Sequence, residues 1–174
     1  LRCLRDHDLR KEEYAKVFPL LEESEFSEVA RLAIDLLDAH ELPDDSRHLL
    51  SRLLESPHPD VQKFALRKMA DFSTPSTVRT LIEQLGDPDY RMRDVAANSL
   101  RKIPEARAAL LKELTVCNDA SKAWSIAELL PSFEGKWRPD VLITLWKRLH
   151  AAINAEDRIQ TAFLQVLKLA AEQS

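Results

Sequence analysis

The groups able to do chemistry in this 174-residue chain are five histidines, two cysteines and 29 carboxylates. His7, His40, His48, His58 and His150 are scattered. No two have the HExxH spacing that puts both imidazoles on one metal. Cys3 and Cys117 are too few and too far apart for a disulfide framework or a CxxC site. Reduced thiols are expected, and with them an intracellular, cytoplasmic setting. Neither a metal nor a cofactor is expected. Carboxylates adjoin in sequence as Glu12-Glu13, Glu22-Glu23, Asp44-Asp45 and Glu156-Asp157. Acid–base catalysis needs carboxyls facing one another across a cleft, and sequence neighbours on a helix do not. Asp44-Asp45 and Glu156-Asp157 suit helix N-termini, where the macrodipole favours negative charge. Nothing here amounts to a catalytic constellation, so a non-enzyme is expected.

Recognition is a better use of the remaining groups. Trp124, Trp137 and Trp146 all fall in the last third. Trp146 shares helical spacing with Leu142, Leu145 and Leu149, which predicts a core position. Trp137 sits near Gly135 and Pro139 in an expected loop, and it and Trp124 can each anchor a partner. Basic side chains gather in the middle as Lys63, Arg67 and Lys68, then Arg91, Arg93, Arg101 and Lys102. The net charge is −6 over residues 1–59, +3 over 60–112 and −1 over 113–174. Asp60, Asp87, Asp89 and Asp94 interleave with the cations, and the pI of 5.8 is that of no dedicated nucleic-acid domain.

The elements that must position these groups read as helices throughout. Val29, Leu32, Ala33, Leu36 and Leu37 recur at i, i+3, i+4, i+7 and i+8. Val61, Phe64, Ala65 and Met69 repeat that stripe, as do Met92, Val95, Ala96 and Leu100, and Ile159, Ala162, Phe163, Val166 and Leu167. Breaks rich in Pro, Asp, Ser and Asn fall between the stripes, around Pro43, Pro57, Pro59, Pro75, Pro88, Pro104, Asn118-Asp119 and Pro131. Pro19 lies inside a run and is expected to kink or delay its helix. There are two glycines, Gly86 and Gly135, about 1 % of the chain where roughly 7 % is usual. Two cannot build a GxGxxG loop, a P-loop or a GxSxG elbow, nor the turns of a many-stranded β protein. Gly86 precedes Asp87-Pro88, where a helix would end in a left-handed residue. No apolar run is long enough to cross a membrane. The chain begins at Leu1, as an excised piece of a longer protein would.

Self-comparison explains the scarcity. A shift of 31 lays Leu50 on Leu81, Pro57 on Pro88, Val61 on Met92, Ala65 on Ala96 and Met69 on Leu100. Shifts of 32, 31 and near 35 extend the frame, bringing Ala33, Ala65, Ala96, Ala127 and Ala162 to one position. A small side chain there lets two helices cross closely. Five helical hairpins are expected, roughly 12–40, 44–72, 76–103, 105–132 and 138–172, in one repeat domain spanning 1–174. Each hairpin hides its apolar stripe against its neighbours. The third unit, with Leu81, Leu85, Asp87-Pro88, Met92-Arg93, Val95-Ala96 and Leu100, resembles HEAT repeats. The resemblance implies an all-α superhelix whose second helices line a concave face, with Asp87 and Arg93 in a ladder between adjacent repeats. It further implies a non-catalytic scaffold binding another protein through Arg31, Asp35, Lys63, Arg67, Asp94, Asn98 and Trp124. Nucleic-acid binding, as in HEAT-like DNA glycosylases, is the alternative, through the basic centre with Trp124 and Asp94.

Overall fold

The computed structural model describes residues 11–23, 27–133, 137, 139–151 and 157–172. Cys3, His7, Gly135 and Glu156 lie outside the described residues, as do the side chains of Leu149 and His150. Among the described residues there are ten α-helices and no strand. They form five consecutive pairs: α1 (Lys11–Glu23) with α2 (Ser27–Asp38), α3 (Arg47–Leu53) with α4 (Pro59–Met69), α5 (Pro75–Gln84) with α6 (Tyr90–Arg101), α7 (Ala106–Val116) with α8 (Ala120–Leu129), and α9 (Pro139–Ala151) with α10 (Asp157–Glu172). The fold is all-α, built of helical hairpins.

Local chemistry explains where the helices start. Pro59 and Pro75 occupy first-turn positions of α4 and α5, where a missing N–H costs nothing. Side-chain oxygens cap three starts: Thr74 Oγ1 accepts from the Thr77 N–H at 3.2 Å, Asp89 Oδ1 from Arg91 at 2.9 Å and Asp119 Oδ1 from Lys122 at 2.8 Å. Asp44-Asp45 form a 3-10 turn leading into α3. Pro19 does not delay its helix: α1 begins at Lys11 and runs through Pro19 to Glu23.

The helix ends hold a second correction. Gly86 is outside the left-handed region. The chain tightens there into i→i−3 bonds: Leu85 N–H to the Ile82 carbonyl, Gly86 to Glu83 and Asp87 to Gln84. That closure satisfies the terminal carbonyls without a positive φ. The end of α3 does the same through Glu55 to Arg52 and Ser56 to Leu53. Neither of these two helix ends needs a left-handed glycine.

The hairpins fall into two compact units, residues 1–72 and 73–174. In the first unit, α1 packs on α3 and α2 on α4. Phe18, Leu21, Leu37, Leu50, Leu53, Phe64 and Met69 fill its core. The buried stripe of α2 is Ala30, Ala33, Ile34 and Leu37, whereas Leu32 is 49 % exposed. Apolar residues cover most of that helix's circumference, so two stripes satisfy the period, and packing against α1 and α4 selects between them. Ion pairs tie the two hairpins at one-repeat separation: Arg52 to Glu22 at 2.7 Å, Arg31 to Asp60 at 3.3 Å and Arg67 to Asp38 at 2.7 Å. Lys68 completes the set. Its Nζ donates to the backbone carbonyls of Asp38 (3.3 Å) and His40 (3.1 Å), closing off the C-terminus of α2.

In the second unit, α5, α7 and α9 pack in succession, as do α6, α8 and α10. All five recurring alanines are buried. In the fourth hairpin Ala123, Ile126 and Ala127 are buried as the expected shift of 31 has them, while other positions fit a shorter shift. Buried Thr77, Leu81, Ile82 and Leu85 correspond to Ala106, Leu110, Leu111 and Leu114, a shift of 29. Cap Asp89 and buried Ala96, Ser99, Leu100 and Ile103 correspond to Asp119, Ile126, Leu129, Leu130 and Phe133, a shift of 30. Leu130, in place of Pro131, thereby takes the closing-leucine position. Trp146 is a further correction: it is 53 % exposed, and Leu145 takes the buried position beside it.

Candidate functional site

The solvent faces of α6 and α8 carry their own helical period. Tyr90, Arg93, Asp94, Ala97 and Arg101 lie at i, i+3, i+4, i+7 and i+11 on α6. Ser121, Trp124, Ser125 and Glu128 do the same on α8. Since α6 packs on α8, the two stripes form the walls of a groove. It holds two adjoining hollows of about 380 and 280 Å³ that share Arg93, Trp124 and Ser125.

Each wall is held from below by the fold. Arg93 Nη1 donates to the carbonyls of Asp87 (2.6 Å) and Pro88 (3.1 Å), so its guanidinium is fixed to the turn that precedes α6. The Asp87 carboxylate accepts from the Asp89 N–H at 2.7 Å. Arg93 is therefore bound to backbone carbonyls within its own hairpin. Asp94 accepts from Asn98 Nδ2 at 3.3 Å, and Asn98 Oδ1 accepts from Arg101 Nη1 at 2.6 Å. Arg101 Nε reaches Ser132 Oγ at 3.2 Å, joining the third hairpin to the fourth. Tyr90 is 63 % exposed, with the Arg91 guanidinium 5.7 Å from its ring centre. The hydrogen bond to the Tyr90 hydroxyl pushes the Arg91 pKa above its ordinary range.

The residues expected to bind a partner divide between the units. Asp94, Asn98 and Trp124 come together at this groove. Arg31, Asp35, Lys63 and Arg67 belong to the first unit. There Arg31 and Lys63 both pair with Asp60, at 3.3 and 3.7 Å, and Arg67 pairs with Asp38. Asp35 is exposed. Trp137 is half-buried, with the Arg107 guanidinium 5.0 Å from its ring centre, and burial lowers the Arg107 pKa. Tyr90, Ser125 and Glu128 are groove residues that the reading of the sequence passed over. Their signal was the same 3.6-residue period, borne by polar side chains.

Among the described residues, no cluster of three or more His, Cys, Asp or Glu is placed to hold a metal ion. No helix among them is long and apolar enough to cross a membrane. Residues 46–130 match the family model described as HEAT repeats. No curated protein and no solved structure matches the chain.

Proposed function

With residues 46–130 belonging to the HEAT-repeat family, we propose that this protein is a non-catalytic scaffold that binds another protein along the exposed face of its second helices. The α6–α8 groove is the principal contact. The observation that carries this reading is Trp124, half-buried in the groove wall between hollows and faced by charged and hydroxyl side chains. Tryptophan and arginine dominate interface hot spots, and a partly sheltered indole with a polar rim is the usual form of one.

Two features support a protein partner over a nucleic acid. Asp94 and Glu128 line the groove beside Arg93 and Arg101, leaving it without net positive charge. In the first unit, Arg31, Lys63, Arg67 and Lys68 are engaged by Asp60 and Asp38. Phosphate binding draws on cations free to release counterions.

The test is a photocrosslinking amino acid placed at Tyr90, with a second placed at exposed Asp35 for comparison. An adduct at Tyr90 that protease destroys and nuclease leaves intact is expected. It should vanish in the Trp124→Ala variant. A gel-shift titration at low and moderate salt supplies the contrary outcome. A duplex-DNA complex with steep salt dependence, together with a nuclease-sensitive adduct, would overturn the reading.

A further inference from the structure

We propose that the α6–α8 groove takes an extended protein segment with two carboxylates about four residues apart and an apolar side chain between them. The inference rests on the protein-partner reading above and narrows it to one chemistry. Its starting point is a contrast in how cations are used. Arg52, Arg67 and Lys68 all have carboxylate partners. Arg93 and Arg101, the cations lining the groove, donate to neutral acceptors: two backbone carbonyls, an amide oxygen and a hydroxyl. Each is oriented by those bonds and keeps N–H groups to spare, and neither is in an ion pair, although Asp94 and Glu128 balance the charge of the groove as a whole. A guanidinium in that condition is a carboxylate receptor, since the fork of donors matches two carboxylate oxygens.

Spacing turns two receptors into a ruler. The Cα atoms of Arg93 and Arg101 are eight residues apart on one helix, about 12 Å at 1.5 Å rise per residue, and the Arg93 guanidinium, turned back to Asp87 and Pro88, sets this as the lower bound on the span between the charges. An extended chain laid along the groove covers that distance in about four residues at 3.3 Å each. Between the two cations the groove offers Ala97 and the Trp124 ring, a seat for an apolar side chain. Asp94 and Glu128 also stand in this middle stretch. An acid at the centre of the segment would meet like charge, so the acids belong at its ends. Asn98 preserves the arrangement. It lies between the Asp94 carboxylate and the Arg101 guanidinium and bonds to both, so Asp94 does not itself neutralise Arg101.

The experiment uses the full chain, labelled with nitrogen-15, and follows the tryptophan indole and arginine side-chain signals. Four probes are titrated: a short peptide with two glutamates flanking a central leucine at the stated spacing, an isomer with both glutamates moved to the centre, a version with lysines for glutamates, and a single-stranded oligothymidine. The first peptide should shift the Trp124 and Arg101 signals and bind at least about tenfold more tightly than its isomer. Arg101→Glu should abolish the response. Asn98→Asp, which places a carboxylate on Arg101, should weaken binding by about tenfold while leaving the backbone spectrum in place. Arg93 is left intact because it holds the turn before α6. Equal binding of the isomer or the lysine peptide at the groove overturns the inference and leaves the protein-partner reading standing. No response to any probe likewise overturns the inference alone, and a response to the oligonucleotide alone overturns both.

Discussion

Lys68 and Arg67 are sequence neighbours on α4, and both reach Asp38, yet burial makes them unequal. Arg67 is about half exposed and pairs with a carboxylate that is itself 40 % exposed, so solvent screens the interaction. Arg67→Ala should cost less than about 1 kcal/mol. Lys68 is 12 % exposed and serves two helix-end carbonyls. Lys68→Ala should cost more, about 1.5 kcal/mol or above, because hydrogen bonds from a charged donor are lost in a sheltered place. Urea midpoints of the two variants decide the order. Cys117 supplies a prediction with a pH sign. It is 5 % exposed, and burial raises its thiol pKa. The unfolded thiol then ionises at lower pH than the folded one. Its contribution to stability is whole below the ordinary thiol range and is lost as pH rises through the folded value. The stability difference between the wild type and Cys117→Ala should therefore be constant near neutrality and shrink on the alkaline side. A difference independent of pH would mean that the thiol titrates normally. At this scale the sequence was a mixed guide. The cap of Asp119 and the burial of Ala65 and Ala96 were legible from residue type and spacing. Trp146 was not, because helical period identifies a face without saying which neighbour, if any, covers it.

Elements were the most legible level, and the reasons are local. Proline cannot continue a helix and aspartate caps one, so the breaks at Pro59, Pro75, Asp89 and Asp119 could be placed from their chemistry. What the sequence concealed was register. The fourth hairpin shifts by 29 in its first helix and 30 in its second, so one residue is gained in the turn between them. A single sliding offset cannot represent that. Helix endings were concealed as well, since a 3-10 closure leaves no residue signature. Gly86 tests this account. Its backbone is not left-handed, and a Cβ there would meet Lys122 Cβ and Cε at 3.5 Å, ordinary van der Waals contact. Gly86→Ala should stabilise the protein by about 0.4–1 kcal/mol, by reducing the freedom of the unfolded chain. A loss in thermal midpoint would show that glycine's conformational freedom is needed after all.

At the scale of the molecule, the repeat pattern makes the hairpin architecture readable in the sequence and leaves the groove dark. Core stripes announce themselves by apolarity. The α6–α8 walls are polar residues on a solvated face, and such faces occur on every surface helix. Only the packing of α6 on α8 sets Arg93 and Trp124 around common hollows. Division into two compact units has a measurable result. Phe64 is fully buried in the first unit, and Phe64→Ala should cost about 3–5 kcal/mol through the cavity it leaves. Hydrogen exchange should show the loss of protection concentrated within residues 11–72. Equal loss from α5 to α10 would mean that the whole chain unfolds as one. The ion pairs between the first two hairpins bear on how such a chain can be inherited. Removing the second hairpin would strand Glu22 without Arg52, and would leave the closing carbonyls of α2 without the ammonium of Lys68. Copying the third hairpin would strand no carboxylate in this way, since Arg93 is satisfied within its own turn. Within the first unit, each of the two hairpins thus completes the other, and deleting either leaves a charged group of its neighbour without a partner.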